Sequence, residues 1–92
     1  MQKVTLGISP LLVERQTIAD ARRTLRMALS AARKGDERLA VSRGITAAVQ
    51  AAVAGTRSKG VRNEADLVIQ AVRELIQGIV LKRAVARFRK LG

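Results

Sequence analysis

The sequence predicts an all-α protein of three helices, and three features carry that expectation. Apolar residues recur at spacings of three, four and seven along most of the chain. Glycines and polar clusters break that period at two internal places. The one alternating stretch, near the start, is too short to be more than an arm. A chain of 92 residues has room for a single core, so one helical domain is expected over 1–92.

In the opening segment Val4, Leu6 and Ile8 alternate with polar residues or glycine, as in a short extended arm. Ser9 and Pro10 then read as a cap followed by proline at the first helical position, where the missing N–H costs nothing. The first helix is placed at about 11–34, with Leu11, Ile18, Ala21, Leu25, Ala28, Leu29 and Ala32 on its apolar face. Arg33, Lys34 and Gly35 close it with cations and a glycine. Asp36 caps the second helix, about 37–54, whose period runs through Val41, Ile45, Ala48, Val49, Ala52 and Val53 and stops at Gly55. The single glycine between the helices demands a tight reversal, so an antiparallel hairpin is expected, with Gly44 where the two backbones approach. Thr56 to Arg62 combines glycine and polarity without a period and reads as a loop. Asn63 then caps a long third helix, about 63–90, with Glu64 and Asp66 in its first turn and cations in its last.

That third helix carries more apolar surface than one neighbour covers. Ala65, Val68, Val72, Leu75 and Ile79 form a core stripe; Ile69, Ile76 and Val80 flank one side, and Leu67, Leu81, Val85 and Phe88 the other. The arc spans about 250°, against about 100° for an ordinary surface helix. Such a helix is either central in the monomer or shared between two chains. With two other helices to cover it, a homodimer is expected, with Leu67, Leu81, Val85 and Phe88 at its interface. The alternative is a three-helix bundle with an apolar face left in water.

Composition narrows the chemistry. Lysine and arginine number 18 against 7 acids, for a net charge of +11, with no histidine, cysteine, tryptophan or tyrosine. Thiol nucleophiles, imidazole bases, disulfides and ordinary transition-metal sites are therefore excluded. Serine and threonine hydroxyls lack an activating base, no carboxylate pair has acid/base spacing, and no glycine-rich phosphate loop is present. No enzyme activity, metal or cofactor is expected. The longest uncharged stretch, Gly44 to Thr56, falls well short of the roughly 20 residues of a membrane span. The first twelve residues lack the pattern of a secretory signal. A soluble, cytoplasmic protein is expected.

The cations form three groups. Arg15, Arg22, Arg26 and Arg33 share one line along the first helix, beside its apolar face and extending over ~27 Å. Glu14 and Asp20 are too few to neutralise them. Arg57, Lys59 and Arg62 occupy the loop. Lys82, Arg83, Arg87, Arg89 and Lys90 crowd the end of the third helix with no acid among them; the helix dipole accounts for the last of these but not for Lys82 and Arg83. All twelve are candidate phosphate contacts. The excess points to nucleic acid, and the lack of tyrosine and tryptophan disfavours base stacking on single strands. The expected function is non-specific or shape-based contact with the backbone of duplex DNA or structured RNA, as in a small regulator or packaging factor. The alternative is an adaptor, inhibitor or structural assembly subunit that engages an acidic protein through the third helix and the arginine line. A membrane-surface role for the basic end has only Val85, Phe88 and Leu91 as its apolar face, which is thin.

Overall fold

Small residues on the middle helix set the architecture. The computed structural model describes the backbone of residues 10–91 and the side chains of residues 17–91. Three helices follow one another: α1 (Pro10–Arg33), α2 (Glu37–Arg57) and α3 (Arg62–Leu91), with a 3-10 turn at Lys59–Val61 between the last two. No strand occurs among the described residues, and none of their helices is long and apolar enough to cross a membrane. The expected arm and the Ser9 cap lie outside the described residues.

The α1–α2 reversal follows from local chemistry. Gly35 adopts φ +84°, a left-handed conformation that closes the end of α1 without a side-chain penalty. The Asp36 carboxylate accepts a hydrogen bond from the Leu39 amide at 3.1 Å and so caps α2. The two helices pack closely as a hairpin, and α3 lies mainly against α2, meeting α1 over a shorter stretch.

The second connection differs from the expected loop. Gly55 does not end α2, which continues to Arg57. Ser58 stops it, and the Ser58 hydroxyl accepts from the Gly60 amide at 3.2 Å to start the 3-10 turn. Val61, read as part of a polar loop, is only 1% exposed and anchors the turn in the core. α3 begins directly at Arg62, so Asn63 lies inside the helix instead of capping it.

The core is mostly alanine. Ala21, Ala28 and Ala31 of α1, Ala40, Ala47, Ala51 and Ala54 of α2 and Ala65 of α3 are all buried, with Ile18, Val61, Val68, Val72 and Ile79 as the larger members. The face of α2 that packs inward is therefore Ala40, Gly44, Ala47, Ala51, Ala54 and Gly55. This corrects the expected face: Ile45, Val49 and Val53 are exposed. Gly44 is buried, but its open side meets Val72 and Leu75 of α3, not the backbone of α1. Gly55 lies closer still, because a Cβ built there would stand 2.9 Å from the Cβ of Ala65.

These contacts predict opposite responses to one chemical change. Gly55→Ala forces an α2–α3 clash that typically costs 1–3 kcal/mol, about as large as or larger than the helix-propensity gain of about 1 kcal/mol. Its urea midpoint, read by circular dichroism, should fall below that of the parent. Gly44→Ala meets Val72 Cγ1 at an ordinary 3.4 Å, so its midpoint should equal or exceed the parent's.

Candidate nucleic-acid interface

The ends of the helices do not coincide, and that mismatch builds the most basic surface. Arg83 Nε donates to Glu37 Oε1 at 2.9 Å, tying α3 to the first residue of α2. Beyond that point α3 runs on for eight more residues, or ~12 Å of helix. Every residue from Val80 to Leu91 is exposed. This projecting end divides cleanly: at ~100° per residue, Val80, Leu81, Ala84, Val85, Phe88 and Leu91 share an arc of ~140°, and Lys82, Arg83, Arg87, Arg89 and Lys90 occupy the rest.

On α1, Arg22, Arg26 and Arg33 are all exposed, and the Arg15 side chain lies outside the described residues. The row borders the groove between α1 and α3, where Arg22 and Arg26 line a depression with Leu25, Glu64, Leu67 and Val68. Arg22 is partly neutralised there: its Nη1 donates to Glu64 Oε2 at 3.2 Å. Farther along, a second depression brings Ala32 and Gly35 beside Gly78, Ile79 and Lys82. The turn that follows Arg33 therefore lies against the base of the projecting end.

The third group stands apart. Arg57, Lys59 and Arg62 gather at the α2–α3 corner, all exposed. From Arg62 to Arg87 the rise of α3 amounts to roughly 37 Å, so the corner and the projecting end lie at opposite ends of the molecule. The twelve candidate residues thus form two separated regions and a row, not one patch. Among the described residues, Arg26, Arg33, Lys59, Arg62, Lys82, Arg87, Arg89 and Lys90 form no ion pair.

Several charges escaped the sequence reading. Arg23 pairs with Asp20 one helical turn away at 3.4 Å, and Arg43 Nη1 donates to Met27 Sδ at 3.6 Å across the hairpin. The i, i+3 spacing of Asp20 and Arg23 is visible in the sequence. The pairs Arg22–Glu64 and Arg83–Glu37 depend on how α3 registers against the hairpin, which no local signal gives.

The Arg83–Glu37 pair is exposed on the arginine side, so its removal should be mild. Glu37→Gln is expected to lower stability by no more than about 1 kcal/mol, combining a surface ion pair with an acidic residue in a helix's first turn. Thermal unfolding by circular dichroism checks this; a larger loss would mean that the pair fixes the register of α3.

No protein-family model, curated protein or solved structure matches this chain.

Proposed function

We propose that the protein binds nucleic acid inside the cell, as a dimer, through the phosphate backbone of duplex DNA or structured RNA. One observation carries this reading: the projecting end of α3 holds five exposed cations and no acid, and only Arg83 among them is ion-paired among the described residues. Guanidinium and ammonium groups on a stiff helix suit a line of phosphates, and neutralising those phosphates releases counterions. Arg26 and Arg33 extend the contact along the α1–α3 groove. Binding of this kind has no sequence code, because contacts to phosphate position a protein without reading base edges. A small regulator or packaging factor fits it. Leu67, Leu81, Val85 and Phe88, exposed at 69%, 65%, 42% and 73%, are offered as the dimer interface.

That apolar exposure also supports a second reading, an adaptor, inhibitor or assembly subunit that covers Leu81, Val85 and Phe88 with an acidic protein. Salt separates the two, since apolar burial is not screened.

The test is fluorescence-anisotropy titration of a labelled duplex of about 20 base pairs and a matched RNA hairpin over a salt series; affinity should fall steeply, with a log–log slope of about 0.9 per phosphate neutralised on duplex DNA. Replacing Lys82, Arg87 and Lys90 with alanine should flatten that slope by about 0.9 for each phosphate no longer neutralised. No binding at low salt, or a slope indifferent to the triple substitution, overturns the proposal.

A further inference from the structure

The unpartnered face of α3 continues past the projecting end onto the body of the molecule. Leu67, Glu74, Leu81 and Phe88 stand seven residues apart, and Ala71, Gly78 and Val85 interleave with them at the same interval. Together they trace one seam with the three-four spacing of a helix–helix contact. The seam lies ~140° around α3 from the buried stripe of Ala65, Val68, Val72 and Ile79. Among the described residues no element covers it: apart from the half-buried Ala71, every residue of the seam is exposed.

Gly78 sits at the middle of this seam, and no contact among the described residues requires glycine there. A Cβ there would meet nothing within 4 Å, whereas Gly44 and Gly55 have neighbours at 3.4 and 2.9 Å. A glycine inside a helix costs about 1 kcal/mol relative to alanine. What glycine offers in exchange is the close approach of a second backbone or a large side chain.

Charge is distributed unevenly about that midpoint. Before Gly78, α3 carries Glu64, Asp66 and Glu74 against Arg62 and Arg73, a net charge of −1; after it come five cations and no acid. A parallel pair of α3 helices would lay the five cations of one chain beside those of the other. An antiparallel pair lays them beside the half that holds the carboxylates.

From these observations we propose that a second copy of the chain docks antiparallel along the α3 seam, with the two-fold axis near Gly78 and Leu81. The offset that places Leu81 of the second copy against Gly78 also places its Phe88 against Ala71, large side chains against small. Glu74 then faces Val85 of the second copy, flanked by Lys82 and Arg89 one turn to either side. This rests on the dimer named above and adds its geometry. Much of the basic arc stays outside the seam, free for phosphate.

The chain has no cysteine, so introduced cysteines report proximity without background. In this geometry two copies of residue 88 lie ~25 Å apart along the helices, far beyond the roughly 7 Å between Cα atoms that a disulfide spans. The full chain carrying Ala71→Cys, mixed with the chain carrying Phe88→Cys and oxidised in dilute solution, should give the mixed 71–88 product and little of either self-linked product. The unsubstituted chain should show twice the monomer mass by light scattering. Gly78→Gln should keep its helical signal and raise the dimer dissociation constant at least tenfold.

A dimer that links 88 to 88 is parallel and overturns the geometry while leaving dimerisation intact. A dimer that instead links through Val49→Cys uses the exposed apolar strip of α2 and overturns the seam. A monomer overturns both, and a monomer that sediments with phosphatidylserine vesicles assigns the seam to a lipid surface. The duplex titration reads phosphate contact by a monomer as well as by a dimer, so a failed seam and a failed nucleic-acid reading are distinguishable.

Discussion

Alanine packed against its neighbours along the inner face of α2 is the constraint on which the rest depends. α2 lies between α1 and α3, so its inward residues meet a helix on either side. Ala40, Gly44, Ala47, Ala51, Ala54 and Gly55 leave almost no side chain between the backbones, which suits axes near the short end of the usual 8–10 Å separation. The consequence is an inversion of size. With alanine turned inward on α2, Ile45 and Val49 face outward, and Leu67, Leu81 and Phe88 lie on the face of α3 away from its buried stripe. At about 0.8 kcal/mol per buried methylene, such a core is modest in what it contributes. Much of the apolar surface that might have stabilised the monomer is left available to something else.

The same packing positions the charge. Close contact of α3 with α2, started by the buried Val61 and continued through Val68, Val72 and Ile79, fixes where α3 outruns the hairpin. The overhang is the segment where sequence places cations on one arc and apolar residues on the other. A longer α2 would follow the buried stripe onto the side of Arg83 and Lys90 and would still leave Leu81, Val85 and Phe88 uncovered. It is the register, and not the composition alone, that turns a basic amphipathic segment into an exposed surface with two faces.

What is legible in the sequence is what local chemistry decides. Asp36 and Gly35 announce a cap and a left-handed reversal wherever they meet helical periods, and α1 and α3 lie within a residue of their expected ends. Reading fails where tertiary packing chooses between equally periodic alternatives. On α2 Val41, Ile45, Val49 and Val53 recur every four residues and Ala40, Gly44, Ala47 and Ala51 every three or four, both helical intervals, and hydrophobicity favours the larger set. Packing favours the smaller. Gly55 reads as a terminator because nothing local distinguishes a helix-ending glycine from one that admits a neighbouring Ala65. Val61 is hidden among polar residues for the same reason. The three groups of cations are visible as groups, but their separation into a row and two distant regions requires the fold.

If the chain pairs and binds phosphate as proposed, the two faces of its projecting end are thermodynamically linked. Two chains of net charge +11 repel one another, so the association of a pair is opposed by the same cations that attract phosphate. Salt acts on the two processes with opposite signs: it screens the repulsion and so aids pairing, and it weakens phosphate contact by reducing the gain from counterion release. Nucleic acid bound as proposed would do what salt does for the proposed pair while keeping its own hold on the cations, because its phosphates would neutralise the charges that keep the copies apart. Binding and pairing must then promote each other to the same degree, since the coupling free energy between two equilibria is reciprocal. A pair also presents twice the cations on one rigid body, which steepens the salt dependence of its binding beyond that of a single chain. The proposed pairing, which sets large apolar residues beside the densest positive charge, is thereby favoured where polyanion is present.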